Sequence, residues 1–175
     1  MTSLSNEEFE KLALPLMDSL YNFACWLCGD REEASDLMQE SFAKALKAFG
    51  GFEGGTKFRA WMFTIVRNTF LTSRTALERR NTIQEDRQNL ENTEVAEDTP
   101  ETLLIRKADT ELLQAAIARL SPPFREVVLL TDLEEMKYQE VAETLGIPIG
   151  TVMSRLARAR RQIREHVIER LGVKT

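Results

Sequence analysis

Residues Tyr138–Arg164 read YQEVAETLGIPIGTVMSRLARARRQIR, and the interruption in the middle of this stretch decides the fold. A short helix is expected from Tyr138 to Leu145 and a long one from about Ile149 to Leu171. Between them stand Gly146, Ile147 and Pro148. Glycine suits the left-handed residue that ends a helix, and proline forbids continuation in the same register. Two helices joined by so tight a turn make a helix-turn-helix, where the first braces the second.

The second helix has two distinct faces. Val152, Leu156, Ala159, Ile163 and Val167 recur at spacings of four, three, four and four, which predicts a buried stripe. Thr151, Ser154, Arg155, Arg158, Arg161 and Gln162 share another face, able to bond base edges or phosphates. From Thr144 to Arg164 there is no carboxylate, whereas arginine stands at 155, 158, 160, 161 and 164. The whole chain carries a formal net charge of -5, so this cationic run is local. An ordinary solvated face mixes both signs; this one reads as a DNA surface. Guanidinium groups stay charged and can grip guanine or phosphate through two bonds. A patch this small binds duplex weakly and with strong salt dependence, so a larger assembly is expected to supply the rest.

Working outward, Leu103, Leu112, Leu113, Ala116, Ile117 and Leu120 support a helix. Ser121, Pro122 and Pro123 form a start signal, serine as N-cap, for a helix from Phe124 to about Leu133. Asn81–Thr102 is acidic, poor in large apolar groups and contains Pro100, which predicts a tether rather than a folded segment. Toward the start, Leu12, Leu16, Leu20, Phe23 and Leu27 make one helical stripe, and Leu37, Phe42, Ala45, Leu46 and Phe49 another. The cluster GGFEGGTKF, Gly50–Phe58, predicts a turn; it lacks the Gly-Lys-Ser/Thr ending of a phosphate loop. A further helix begins near Thr56, with Phe58, Trp61, Met62, Ile65, Val66 and Phe70 on its apolar face. Trp61 invites base stacking, but that spacing favours the core.

The expected fold is all-α: two small helical domains, residues 5–80 and 105–173, joined by a flexible acidic linker over residues 81–104. The 175 residues suffice for two such cores, and 43% hydrophobic and 29% charged content is that of a globular chain. No apolar run is long enough to span a bilayer, and MTSLSNEEFEKLALPL lacks the marks of a secretory signal, so a cytoplasmic location is expected. With four residues after Leu171, no attached C-terminal module is expected. Cys25 and Cys28, in CWLC, predict small core residues over a redox pair. His166 is expected on an exposed helix face. No catalytic dyad, phosphate loop or metal-ligating cluster stands out, so neither an enzyme nor a metal or cofactor site is expected.

Three segments then resemble, in order, bacterial RNA polymerase sigma factors of the extracytoplasmic-function (ECF) group of the sigma-70 family. They are DLMQESFAKALKAF (Asp36–Phe49), FRAWMFTIVRNTFLTSR (Phe58–Arg74) and YQEVAETLGIPIGTVMSRLARAR (Tyr138–Arg160). The resemblance implies that the first domain is sigma region 2 and the second sigma region 4. It implies docking on core polymerase, at the largest-subunit clamp helices and the flap, and recognition of promoter DNA, with no small-molecule substrate. Asp36, Gln39, Glu40 and Ala43 become core-binding candidates; spacing alone fits a plain solvated face as well. Lys57, Arg67, Asn68 and Arg74 become candidates for the minus-ten strand, with an unstacked base lodged by the Gly51–Lys57 loop. Lys137, Tyr138, Thr151, Ser154, Arg155, Arg158 and Arg161 become candidates for the minus-thirty-five element. Met153 departs from the basic residue common at its place. The linker would let two weak DNA-binding modules act together, and an anti-sigma protein is an implied partner. The rival is a helix-turn-helix repressor that binds duplex operators alone; the polymerase-docking segment argues against it.

Overall fold

The computed structural model describes residues 6–53, 57–80 and 100–172, the first turns of the last span as backbone only. Every regular element among the described residues is helical. The chain forms two compact units that divide near residue 91. No described helix is long and apolar enough to cross a membrane.

In the first unit, α1 (Asn6–Ala13) opens with Glu7 and Glu8, whose charges suit the positive end of the helix dipole. A 3-10 turn at Leu14–Leu16, carrying Pro15, leads into α2 (Met17–Cys28). Gly29 ends α2 in the left-handed region at φ 70°, and its N–H donates to the Cys25 carbonyl at 2.8 Å. Asp30 at once caps α3 (Arg31–Ala48), its carboxylate accepting the Glu33 N–H at 2.9 Å. Ala24, Ala34 and Ala45 are buried, and such small side chains let backbones approach closely where α2 and α3 pack. Against this pair lies α4 (Phe58–Arg80), which buries Ala60, Met62, Phe63, Val66 and Thr69. Phe23 and Phe63 meet edge to face at 5.2 Å in the core. Two of the expected core leucines are outside it: Leu12 is 45% exposed and Leu46 40%. Phe9 and Phe49, in edge contact at 5.3 Å, close that end of the bundle instead.

In the second unit, α5 (Pro100–Ala118) starts inside the segment read as linker, so residues 100–104 are helical. Proline needs no donor at a first helical position and starts the helix there; residues 81–99 of that segment lie outside the described residues. The helix α6 (Pro122–Val128) is shorter than expected and gives way to a π-type turn at Leu129–Leu133. There the Glu134 N–H reaches back to the Leu129 carbonyl at 3.0 Å, and Glu135 adopts φ 52°. Ser121 holds the cap position without a side-chain bond. The two prolines remove the nearest donors, and the Phe124 N–H is already taken by the Ser121 carbonyl at 3.0 Å.

Arg125 closes the end of α5. Its Nη2 donates to the carbonyls of Ala118 at 2.6 Å and Leu120 at 3.0 Å, filling acceptors that a helix end leaves open. Burial pulls the pKa of this guanidinium down, and it remains a cation. Val127, Val128, Leu129 and Leu130 are all buried, as expected of a central element. Around them pack α7 (Tyr138–Leu145) and α8 (Ile149–Leu171).

Candidate nucleic-acid interface

The turn between α7 and α8 has the anticipated chemistry. Gly146 sits at φ 64°, and the Ile147 N–H donates to the Ala142 carbonyl at 3.1 Å, which finishes α7. Pro148 is extended; its carbonyl accepts the N–H of Thr151 at 2.9 Å and of Val152 at 3.2 Å, which starts α8. At the other end of α7 the Lys137 N–H donates to the Glu140 carboxylate at 2.8 Å. Lys137 and Tyr138 are therefore held, exposed, at the start of the bracing helix.

Burial orients α8. Val152, Leu156, Ala159 and His166 face the core, while Ile163 and Val167 are only half-buried. His166 is thus a correction: it is 7% exposed, and its Nδ1 accepts from Arg119 Nη1 at 2.7 Å. The signal was present, because Val152, Ala159 and His166 recur every seven residues, but a polar residue in that register was read as outward. At about 100° per residue, the side opposite this core stripe is centred on Gly150, Ser154, Ala157 and Arg161, all exposed. Thr151 and Arg155 lie between this side and the core stripe, Arg155 nearer the core, and are half-buried. The Ser154 hydroxyl donates back to the Thr151 carbonyl at 3.2 Å.

The arginines of α8 are not equivalent. Arg160 makes two bonds to Asp132 of the π-type turn, Nε to Oδ2 at 3.0 Å and Nη2 to Oδ1 at 2.5 Å. That bond raises its pKa, with Tyr138 adding to the effect. Arg161 lies only loosely by Glu165, at 4.0 Å. Arg155, Arg158 and Arg164 form no ion pair with the described carboxylates, which leaves their charge for an outside anion.

In the first unit, Asp36, Gln39, Glu40 and Ala43 are all exposed on α3. Glu40 pairs with Lys44 at 2.7 Å, one turn on. Beside them runs a groove of about 410 Å³ between α2 and α3, lined by Met17, Asp18, Tyr21, Ser35, Met38, Gln39 and Phe42. Its α2 wall was not foreseen; the exposed Met17 on the face of α2 that meets α3 is the signal that marks it.

The comparisons with known proteins follow these two surfaces. Residues 12–80 match the family Sigma-70 region 2, and residues 110–163 match Sigma-70, region 4. An ECF RNA polymerase sigma-E factor of Haemophilus influenzae is 32% identical over 143 residues, covering 78% of this chain and 76% of that protein. The chain belongs to the ECF sigma factors of RNA polymerase. The ECF RNA polymerase sigma factor SigE of Mycolicibacterium smegmatis is 34% identical over 162 residues, and the chain spans 61% of its length. Among solved structures, the sigma factor RpoE in complex with the anti-sigma factor NepR, from Bartonella quintana, has a TM-score of 0.78 at 26% identity, covering 97% of this chain and 99% of that one. Membership makes this sigma factor an initiation factor rather than an enzyme.

Within the sigma factor, the minus-ten candidates separate. Asn68 is exposed on α4 and Arg67 half-buried beside it, with interactions of its own. Arg74 is partly exposed and engaged by its neighbours: Nη2 donates to the Cys28 carbonyl at 3.4 Å and Glu33 Oε2 at 3.2 Å, and the guanidinium lies 5.2 Å over the Phe70 ring. It braces α4 against α2 and α3. Lys57 is exposed just before α4, where its carbonyl accepts the Trp61 N–H at 3.1 Å; residues 54–56 of the Gly51–Lys57 loop lie outside the described residues. Trp61 is half-buried among Phe49, Phe52 and Phe58, with 5.0 Å between its ring and Phe52, so packing accounts for it. Cys25 and Cys28 are both free thiols. Burial pushes both pKa values up, Cys28 to about 12, which leaves neither as a ready nucleophile.

Proposed function

We propose that this ECF sigma factor directs promoter-specific initiation by holding core polymerase with its first unit and promoter DNA with both. The division of labour follows residues 5–80 as region 2, 81–104 as linker and 105–173 as region 4. The α3 face of Asp36, Gln39, Glu40 and Ala43, with the groove beside it, takes the clamp helices of the largest subunit. A face bearing carboxylates next to apolar side chains suits a basic amphipathic helix. Region 4 also meets the flap.

For the minus-ten strand, Lys57, Arg67 and Asn68 make the contacts, and Arg74 acts by holding α4 in place. For the minus-thirty-five element, α8 enters the major groove with Ser154, Arg155, Arg158 and Arg161, while Thr151, Lys137 and Tyr138 approach the backbone. The observation that carries this reading is the cationic α8 face: Arg160 is spent on Asp132, yet Arg155 and Arg158 remain unpaired among the described carboxylates. Unpaired guanidinium groups without a neighbouring carboxylate are arranged for an anionic partner. An anti-sigma protein, as in the Bartonella complex, keeps these surfaces occupied until a signal arrives. The site of action is the cytoplasm, where polymerase and chromosome are.

The test is transcription from a selected promoter by purified core polymerase, with and without this protein, beside a duplex-shift assay on the same DNA. Initiation that requires both components is expected. Tight sequence-specific duplex binding by the protein alone, with no complex with core, would replace this reading by that of a repressor.

A further inference from the structure

Cys25 and Cys28 are the chain's two cysteines, free thiols three residues apart in the last turn of α2. That spacing puts them on one face of the helix, with Cβ atoms about 5–6 Å apart. They are near enough for a charge on Cys25 to push up the pKa of Cys28. A disulfide needs its Cβ atoms within about 3.5–4.5 Å. Two bonds hold this turn to helical geometry instead: the Gly29 N–H donates to the Cys25 carbonyl at 2.8 Å, and Arg74 Nη2 to the Cys28 carbonyl at 3.4 Å. A metal ion bridging two sulfurs through bonds of about 2.3 Å keeps them up to about 4.6 Å apart, which suits the wider separation. Zinc in a structural site takes four ligands. Among the described residues no group of three or more metal-ligating side chains is assembled, and the one histidine belongs to the second unit. A two-coordinate ion needs no third ligand, and thiolates select the soft ion Cu(I).

We propose that Cys25 and Cys28 form a two-thiolate binding site for Cu(I) at the end of α2. The Tyr21 hydroxyl donates to the Cys25 sulfur, the kind of supporting bond that orients a metal ligand. Cys28 is half-buried and gives the ion its way in, while Cys25, 7% exposed, lies on the side away from water. Arg31 and Arg74 act on the pair, as do Asp30 and Glu33, so the neighbouring charge is balanced. Burial keeps both groups protonated as free thiols, but a coordinated ion displaces the proton of its ligand outright. Binding therefore releases two protons to solvent, with no change in the oxidation state of copper or sulfur. Tyr21 also lines the α2–α3 groove, yet the site stands on the geometry of α2, whichever partner that groove takes.

The experiment titrates the full chain, reduced and under nitrogen, with Cu(I) held by bicinchoninate, whose colour reports what the protein removes. One ion per monomeric chain is expected, and X-ray absorption of that complex should show two sulfur ligands. Cys28→Ala and Cys25→Ala should each lose more than the about 10–100-fold in affinity that removal of a supporting residue costs. Cys28 is only half-buried, so its variant keeps the test open even where alanine at the buried Cys25 disturbs folding, which far-ultraviolet circular dichroism checks. Retention of the ion by Cys28→Ala would assign it to other side chains, half an ion per chain would assign it to a bridge between two copies, and no transfer from bicinchoninate would leave no site; each overturns the proposal. So would ready closure of an intramolecular disulfide when the native chain is treated with diamide, since the sulfurs would then reach bonding distance within this turn.

Discussion

Gly146 and Gly150 lie four residues apart, on either side of the start of α8, and alanine is expected to act on them with opposite signs. At both positions an added Cβ meets nothing within 4 Å, so sterics with neighbours cancel and only the backbone remains. Gly146 stands at φ 64°, where an L-residue with a Cβ costs about 1–2 kcal/mol. Alanine also restricts the unfolded chain, which offsets about 0.4–1 kcal/mol of that. The net expectation for Gly146→Ala is a loss near 1 kcal/mol, about a fivefold rise in the opening equilibrium. Gly150 is already inside α8, where alanine gains about 0.5–1 kcal/mol over glycine, less in a first turn. Native-state hydrogen exchange measures both, since it resolves the two units. The amides of Leu156 and Ala159, buried in the second unit, report the change, and those of Phe63 and Val66 in the first serve as control. Unchanged protection in Gly146→Ala, or reduced protection in Gly150→Ala, would refute the account of this turn.

Other expectations concern charge and thiols. Alanine at Arg155 or Arg158 should cost about 1–3 kcal/mol of promoter affinity and relax preference at one base pair if the side chain reads a base edge; a uniform loss over all promoters would assign it to phosphate. Asp132→Ala removes both acceptors of Arg160 and should cost about 0.5–1 kcal/mol of stability while freeing a cation. Duplex binding should then gain about one unit of salt slope, measured as log affinity against log salt, and an unchanged slope would show that Arg160 lies away from DNA. With a pKa of about 12 against an ordinary 9.0, Cys28 is about one part in ten thousand thiolate at pH 8, so its alkylation in the native chain should be far slower than in the unfolded one. Because the folded value is the higher, stability from this group is complete below pH 9 and is lost as pH rises from there to about 12. Denaturant midpoints across that range, with Cys28→Ala as the comparison, check the sign.

Much of the candidate site could be read locally. The Gly146-Ile147-Pro148 interruption, the carboxylate-free run to Arg164 and the four-three spacing of Val152, Leu156 and Ala159 each depend on neighbours within a few turns of one helix. Periodicity alone therefore determined that the chain is helical, where α7 and α8 meet and which residues carry the positive charge. How those charges are used depended on packing between segments far apart in sequence. Arg160 finds Asp132 across 28 positions, Arg74 finds Cys28 and Glu33 across 46 and 41, and Arg119 finds His166 across 47. None of these pairs leaves a local pattern, because a side chain's partner is set by the rotation and offset of one helix on another. The π-type turn at Leu129–Leu133 belongs with them: its local sequence reads as plain helix, and it brings Asp132 to Arg160. Spacing placed arginines on an outward face of α8, and tertiary packing decided which of them remain available to DNA, since a guanidinium already satisfied by a carboxylate gains little from a phosphate.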